Sequence, residues 1–278
     1  MTRLIRRPVG RRHRAFHADL ERGARWVASP LLERGRGFER RFDRAVLDGG
    51  PSPSRKAALT HLGDRLIVRC DPRSLRHWLH NWVSDGRRTL RLSDRFTDDG
   101  EWTAATAHLD GDDVFREMLD LVAARNEYRD SAAFRQLVAR TEKGVATRRN
   151  GFPLRSLGDV EAYFERYLRL IGRIETQGYR PRRAVASSDI DRTRRARMER
   201  IETEVGVAIA PNGEMLRFVG GRHRTAIAVA LDCREIPVLV RLVHVDWVRS
   251  LAAERGGRPF AALLDWLREN GLPAAHRS

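Results

Sequence analysis

The spacing of apolar and polar residues changes along the chain, and each change predicts a different kind of element. In the first 55 residues, apolar side chains recur at helical intervals, at Leu20, Trp26, Val27, Leu31 and Leu32. Pro30 lacks the backbone N–H that a helix interior needs, so one or two amphipathic helices are expected. The stretch "DGGPSPSRK" then has the composition of a linker. We expect residues 1–55 to form a basic, mainly helical arm that packs on the protein rather than on DNA or a membrane.

Residues 56–150 mix short strands with helices. The apolar runs in "RLIVRC" and "TLRL" predict strands, whereas "SLRHWLHNWVSDG" predicts a helix that Ser74 caps and that ends near Gly86. The stretch "GDDVFREMLDLVAARNEY" predicts a helix with four apolar residues on one face, Val114, Met118, Leu121 and Val122. Another helix, "SAAFRQLVARTEKG", should start after Ser131 and stop at Gly144. This segment is therefore expected to be an α+β unit.

The chain from residue 151 onward begins with its clearest helix and then becomes extended. In "SLGDVEAYFERYLRLIGRIETQGYRP" the apolar stripe consists of Val160, Phe164, Tyr167, Leu168, Ile171 and Ile174. Gly178 should end this helix, and the arginine-rich "RRAVASSDIDRTRRARMERIETE" is interpreted as a loop with a short helix. The strands "EVGVAIA" and "MLRFV" predict a hairpin, because Asn212 and Gly213 between them accept the positive φ of tight turns.

Helix and strand alternate in the remainder of the chain. "RTAIAVALDC" predicts a helix, and "EIPVLVRLVHV" predicts a strand that His244 and Trp247 close. Packing of Trp247 in the core is favoured over a role in stacking on a base. "PFAALLDWLRENGLP" predicts a last helix, ended by Gly271. Together the patterns predict a mixed α/β (α+β) protein with three segments, at residues 1–55, 56–150 and 151–278.

The composition predicts a globular chain with a core of its own. Hydrophobic residues make up 41% of the 278 positions, and no apolar run approaches the roughly 18 to 20 residues that span a bilayer. The first thirty residues lack the apolar centre of a signal peptide, so a cytoplasmic location is expected. Cys70 and Cys233 have no partner at zinc-site spacing and are interpreted as small buried hydrophobic residues.

The formal net charge of +16 has two interpretations. Basic side chains that neutralise phosphates release counterions, so weak, non-specific affinity for nucleic acid would follow. However, only Lys56 and Lys143 among the 53 basic residues are lysine, and codon usage explains this bias as readily as a ligand does. Much of the charge would then be solvated surface, although the planar arginine fork suits phosphate wherever several converge.

The strongest candidate site is "GGRHR", where a predicted strand turns directly into a helix. The first N–H groups of a helix have no partner inside it, and the helix dipole places partial positive charge beside them. The two glycines let an anion approach the backbone, while the arginines and the histidine add donors. The predicted phosphate site consists of Gly220, Gly221, Arg222, His223, Arg224 and Thr225. The alternative is a tight turn beside solvated arginines.

The elements around this turn resemble the ParB/sulfiredoxin superfamily, in which a helix and a hairpin precede a glycine turn that opens a phosphate-facing helix. The resemblance covers about residues 159–249. More narrowly, the chain looks like ParB-like proteins that read approximately E-x-x-V-x-I, D-G-x-H-R, I-P-V and H-x-x-W. The matching positions are Glu202 or Glu204, Val207, Ile209, Gly220, Gly221, His223, Arg224, Ile236, Pro237, Val238, His244 and Trp247. The resemblance implies a ParB/sulfiredoxin-like nucleotide-binding domain over residues 151–278.

Departures from the family pattern narrow the implied function. Sulfiredoxin carries a nucleophilic cysteine where this chain has Arg222, so sulfinic acid repair is not expected. About thirty residues follow His244, too few for the helix-turn-helix domain of chromosome-partitioning ParB proteins. Many relatives have an aspartate where this chain has Gly220, which puts a metal-holding role at this position in doubt.

The resemblance therefore implies the nucleotide-using branch of the superfamily, which includes an ADP-dependent free serine kinase. It implies that a nucleoside di- or triphosphate, with ATP favoured and Mg²⁺ beside it, binds at the glycine turn. Glu202 or Glu204 would be the general base for phosphoryl transfer to a small hydroxylated acceptor, unless both are solvated strand-edge glutamates. The alternatives are a non-catalytic nucleic-acid-associated module and a nucleotide switch without enzymatic activity.

Overall fold

The computed structural model describes residues 36–84, 89–149, 152–181 and 204–272. The helices are α1 (Arg36–Leu47), α2 (Arg55–Leu62), α3 (Asp113–Ala124), α4 (Ala132–Glu142), α5 (Leu157–Gln177), α6 (Arg222–Ala230), α7 (Val245–Arg255) and α8 (Pro259–Glu269). The strands are β1 (Ile67–Cys70), β2 (His77–Leu79), β3 (Trp82–Ser84), β4 (Thr89–Arg91), β5 (Thr97–Asp98), β6 (Thr106–His108), β7 (Thr147–Arg149), β8 (Phe152–Leu154), β9 (Val205–Ile209), β10 (Met215–Arg217) and β11 (Ile236–His244). The predicted mixed α/β class is confirmed. None of these helices combines the length and the apolar character needed to span a bilayer.

A seven-stranded mixed sheet lies at the centre of the protein. Its strand order is β1, β11, β9, β10, β2 and β6, with β5 beside the end of β11. The hairpin β9–β10 is antiparallel, and β11 runs parallel to β9 after the crossover through α6. Every position of β11 is buried, which is typical of a strand covered on both faces of its sheet. This central strand pair holds the turn between β10 and α6 in place.

Strands from two of the predicted segments share this sheet. Strand β1 pairs antiparallel with β11, and β2 joins β10 where Trp78 pairs with Arg217. The boundary predicted between residues 150 and 151 therefore separates two segments that build one sheet together. The reason is that β2 and β6 are too short to form a stable sheet alone.

The predicted arm contributes to the core where it is described. Helix α1 buries Phe38 and Phe42, and the rings of these residues lie 5.8 Å from Phe260 and 5.9 Å from Phe96, respectively. Residues 1–35, which include the predicted helices around Pro30, lie outside the described residues, as does the arginine-rich loop at 182–203.

Most of the locally encoded elements are confirmed. Ser131 caps α4 by accepting a hydrogen bond from the N–H of Phe134, and Ser156 forms a capping box at the start of α5. Gly178, with φ of 72°, follows the last residue of α5. The hairpin, α3, α6, α8 and the strands β1, β4 and β11 are also present where the sequence predicts them.

Two predictions of secondary structure were wrong. The stretch "SLRHWLHNWVSDG" forms β2 and β3 rather than a helix. Its apolar residues have helical spacing, but β2 gains backbone pairing with β10 on one side and β6 on the other, and this outweighs the local preference. The chain also turns helical at Val245, because His244 caps α7 by accepting from the N–H of Asp246. Trp247 is buried as predicted, edge-to-face with Trp266.

The two cysteines are free thiols. Cys70 is buried, as predicted, and Cys233 is half-buried. Burial raises the pKa of both thiols, to about 11 for Cys70. Both thiols are therefore mainly protonated at neutral pH, which makes them poor nucleophiles.

Candidate functional site

The turn between β10 and α6 has a constrained backbone. Three consecutive residues have positive φ, Val219 at 36°, Gly220 at 90° and Gly221 at 74°. A Cβ on Gly221 would lie 2.6 Å from the Cα of Val205, so this position needs glycine for space as well as for conformation. A β-branched residue such as Val219 is rarely found at positive φ, so the surrounding structure must hold it there.

Helix α6 begins directly after this turn, and no side chain caps it. The first N–H groups of the helix therefore lack the oxygen acceptor that a Ser, Thr or Asp cap would supply. The helix dipole adds partial positive charge at the same place. An anion is the natural partner of such an end.

The turn rests on Gly206 and on a buried arginine. A Cβ at Gly206 would lie 2.3 Å from the carbonyl oxygens of both Phe218 and Val219, and 2.4 Å from the Nε of Arg241. Arg241 is buried where β11 shifts register against β9, and this places its guanidinium beneath the turn. Close packing against Gly206 and Arg241 therefore fixes the position of the glycine turn.

A cavity of about 720 Å³ opens in front of this turn. Eight arginines line it, Arg148, Arg149, Arg166, Arg173, Arg180, Arg217, Arg222 and Arg224. No Asp or Glu lines it within the described parts of the chain. Three aromatic side chains complete the wall, Trp78, Tyr167 and Tyr179. Convergent charge of one sign beside low-dielectric walls raises the local potential, so this cavity suits a polyanion.

Buried carboxylates orient three of these arginines from behind. The ion pairs are Arg222 with Asp112 at 2.9 Å, Arg224 with Glu204 at 3.1 Å, and Arg149 with Glu117 at 3.0 Å. The three carboxylate side chains are exposed by only 2%, 1% and 5%, respectively, and none of them lines the cavity. They fix the guanidinium groups at the wall, and the positive charge faces the cavity.

Arg217 differs from these arginines because no described carboxylate pairs with it. The residue is 5% exposed, and its Nε has no hydrogen-bond partner. Its guanidinium lies 5.5 Å from the centre of the Trp78 ring, and Nη1 makes one long contact of 3.5 Å with the carbonyl oxygen of Gly220. Burial, followed by the charge of Arg222, lowers the pKa of Arg217 to about 10. Arg217 is still charged at neutral pH, and among the described residues no carboxylate forms an ion pair with it.

His223 also lines the cavity, and its position is fixed by aromatic neighbours. Its Nε2 lies 3.0 Å from the hydroxyl oxygen of Tyr163, and the Tyr163 hydroxyl donates to the carboxylate of Glu117. The imidazole stacks on Tyr167 with ring centres 4.4 Å apart and planes 2° from parallel. Because Tyr163 donates its proton to Glu117, the Nε2 of His223 carries the proton that Tyr163 accepts.

The imidazole of His223 is neutral at physiological pH. Burial lowers its pKa to about 3, and the charges of Arg222, Arg149 and Arg166 act in the same direction. The sequence predicts a charge-assisted donor at His223, beside Arg222 and Arg224. In the folded protein it contributes a neutral ring and no positive charge.

This lowered pKa predicts that acid destabilises the ligand-free protein. The unfolded chain takes up a proton at His223 near pH 6.5, whereas the folded protein does so only near pH 3. The stability that depends on the neutral ring is fully present above pH 6.5 and falls as the pH drops toward 3. Melting curves of His223→Gln should depend less on pH than those of the wild type. The exposed His80→Gln is the control, and an unchanged pH dependence in His223→Gln would contradict the assignment.

The other predicted site residues have distinct positions. The hydroxyl of Thr225 donates to the carbonyl oxygen of Gly221 at 3.1 Å, so it is satisfied inside the helix. Glu204 is fully buried and pairs with Arg224, which indicates a role in positioning that arginine. Glu202, the other candidate base, lies outside the described residues.

Several residues of the site were missed by sequence reasoning. Arg217, Arg149 and Arg166 reach the cavity from β10, β7 and α5, elements that are distant in sequence. Arg217 could have been identified from the sequence, because a charged residue at an inward position of a short apolar strand needs a partner. Nothing in the local pattern around Arg149 or Arg166 distinguishes them from surface arginines.

The donors on the described walls fit phosphate and do not fit Mg²⁺. Magnesium prefers oxygen ligands, which carboxylates usually supply, whereas this wall presents guanidinium groups. The described residues also contain no cluster of three His, Cys, Asp or Glu side chains able to hold a metal. We therefore derive no step through a metal ion.

Comparison with known proteins does not assign the chain to a family. No protein-family model, curated protein or solved structure matches the chain. The resemblance to the ParB/sulfiredoxin superfamily therefore stays a hypothesis based on the residues named above. Function has to be argued from the geometry of the cavity.

Proposed function

We propose that the chain is a nucleotide-binding protein whose arginine-lined cavity takes the phosphates of a nucleoside di- or triphosphate. The observation that carries this proposal is Arg217, a buried guanidinium at the cavity wall with no carboxylate partner among the described residues. A buried charge without a counter-ion is costly, and a bound anion removes that cost. Phosphate oxygens match the planar guanidinium fork in geometry and in charge.

The phosphates would bind at the glycine turn. The uncapped start of α6 supplies backbone N–H groups, and the side chains of Arg217 and Arg222 flank them. The aromatic wall of Trp78, Tyr167 and Tyr179 lies in the same cavity and suits a planar base. A ligand with adjacent phosphates at one end and an aromatic ring at the other uses both features.

The proposal includes kinship with the ParB/sulfiredoxin superfamily. The order α5, hairpin β9–β10, glycine turn, α6 and β11 supports it, since the resemblance rests on this order of elements. Phosphoryl transfer to a small hydroxylated acceptor would be the matching activity. Glu204 is a poor base for that reaction, because its carboxylate is buried against Arg224.

A phosphorylated end of a nucleic acid is the second candidate ligand. Trp82 is 58% exposed on the hairpin β3–β4, and the guanidinium of Arg91 lies 5.9 Å from the centre of its ring. The preceding residue, Asn81, lines the cavity. An exposed tryptophan beside a basic cavity is typical of surfaces on which single-stranded bases stack.

Ligand screening by thermal shift tests both candidates. We expect one or more of ATP, ADP, CTP and GTP to raise the melting temperature by roughly 5 °C at about 100 times Kd, where ligand linkage contributes about 2.7 kcal/mol. The same screen also tests pyrophosphate and a short oligonucleotide with or without a 5′-phosphate. If no mononucleotide shifts the protein but the 5′-phosphorylated oligonucleotide does, the nucleic-acid candidate replaces the nucleotide proposal.

A paired substitution localises the ligand in the cavity. Arg222→Gln combined with Asp112→Asn removes an ion pair without leaving a buried carboxylate alone, and asparagine still caps α3. Loss of a charged hydrogen bond should weaken binding about ten- to a hundredfold. Arg268→Gln, in an exposed pair on α8, is the matched control. Equal affinity in both variants would place the ligand elsewhere.

A further inference from the structure

Three residues connect the cavity to the protein interior through hydrogen bonds. The carboxylate of Glu117 accepts from the hydroxyl of Tyr163, and Tyr163 accepts from the Nε2 of His223. Arg149 holds the other carboxylate oxygen of Glu117 at 3.0 Å. We call Glu117, Tyr163 and His223 the relay. All three are buried, and only His223 among them lines the cavity.

The relay determines which nitrogen of His223 can act on a ligand. Nε2 carries a proton and is engaged with Tyr163, so Nδ1 carries the free lone pair. No group in the described parts of the chain bonds to Nδ1. Stacking on Tyr167 prevents the ring from turning away. His223 lines the cavity, and Nδ1 is the nitrogen of its neutral imidazole that remains able to accept a proton.

We propose that the cavity hydrolyses the terminal phosphate of a bound nucleoside triphosphate, with Nδ1 of His223 as the general base and Tyr163 and Glu117 as its positioning residues. This inference rests on the proposed nucleotide site. It replaces the glutamate base that the family resemblance implies with His223, which lines the cavity.

The reaction uses water as the acceptor. Nδ1 of His223 takes a proton from the water, and the water oxygen forms a bond to the terminal phosphorus. The bond between that phosphorus and the bridging oxygen breaks, and its electron pair stays on the departing nucleoside diphosphate. Arginines at the wall stabilise the negative charge that develops on the transferred and leaving groups. The proton on His223 then passes to solvent or to the released phosphate.

The charged groups around His223 make its pKa depend on the bound ligand. Burial opposes protonation of His223 most strongly, and the charges of Arg222, Arg149 and Arg166 act in the same direction. Glu117 lies behind Tyr163. A polyphosphate beside these arginines offsets the contribution of their charges and so raises the pKa of the imidazole above its value in the ligand-free protein. As His223 becomes protonated, the hydrogen bonds through Tyr163 to Glu117 strengthen and stabilise the imidazolium.

Phosphate release from the best-bound nucleoside triphosphate tests the inference. His223→Gln keeps an amide N–H near the position of Nε2 for Tyr163 but removes the basic nitrogen. We expect this variant to hold the nucleotide within about threefold of the wild-type Kd and to release phosphate on the order of a hundredfold more slowly, the usual size of a general-base effect. Tyr163→Phe should lower kcat about tenfold at unchanged KM and shift the acidic limb of the pH–rate profile.

The outcomes separate this inference from the proposed function. If no nucleotide binds the wild type, the proposed function fails. If the nucleotide binds but the wild type releases no phosphate, or His223→Gln releases it at the wild-type rate, the hydrolytic inference is overturned while the binding site stands. Arg268→Gln controls for a general change of surface charge.

Discussion

Replacing Arg217 with methionine is expected to stabilise the ligand-free protein and to weaken nucleotide binding at the same time. The guanidinium is 5% exposed and has no carboxylate partner in the described structure, so the folded state bears much of its desolvation cost. Methionine has a similar length and fills the space without a charge. Replacing buried charges with apolar side chains stabilises by about 1 to 4 kcal/mol in comparable cases. The melting temperature of Arg217→Met should therefore rise while its affinity falls at least about tenfold.

Two further variants make this result specific. Arg217→Lys keeps a charge but loses the planar fork, so it should lose affinity without the gain in stability. Arg268→Met removes an exposed arginine and should change stability by less than about 0.5 kcal/mol. A lower melting temperature in Arg217→Met would mean that Arg217 stabilises the fold through Trp78 and Gly220, and it would contradict a role of Arg217 in binding an anion. Such opposite effects on stability and binding are the mark of a site arranged for its ligand.

The elements that local sequence encodes were predictable, and those that depend on distant partners were not. Helices α4 and α5 were found because Ser131 and Ser156 cap them in sequence-local ways. Strand β2 was missed because Trp78 pairs with Arg217, a partner 139 positions later in the chain. The helical spacing of the apolar residues in this stretch predicted a helix, whereas the folded chain forms strands there.

In the candidate site, too, some residues could be predicted from the local sequence and others could not. Its glycine turn is contiguous, and the phosphate prediction could be made from "GGRHR" alone. The opposite wall comes from α5 and β7, and the relay from Glu117 through Tyr163 to His223 joins three elements. A chain with so many arginines gives no local signal for which of them converge. Only the folded arrangement shows that buried carboxylates orient some of these arginines, whereas no described carboxylate pairs with Arg217.

The glycine turn itself should be most sensitive to a single methyl group beneath it. In Gly206→Ala the new Cβ would lie 2.3 Å from two backbone carbonyl oxygens and 2.4 Å from the Nε of Arg241, and none of these can move without displacing the turn. Overpacking of this kind costs up to about 3 kcal/mol, which corresponds to a fall in melting temperature on the order of 6 to 12 °C. Nucleotide affinity should fall as well, because the displaced turn no longer directs the start of α6 at the phosphates.

Gly257→Ala is the matched control for this substitution. A Cβ at Gly257 meets nothing within 4 Å, and its backbone does not have the positive φ that resists other residues. Its melting temperature and affinity should therefore stay close to those of the wild type. If Gly206→Ala melts within about 2 °C of Gly257→Ala, the turn is not fixed by packing on Gly206 and Arg241. The strain at Val219 would then need another source of support, such as the close approach of Val205 to Gly221.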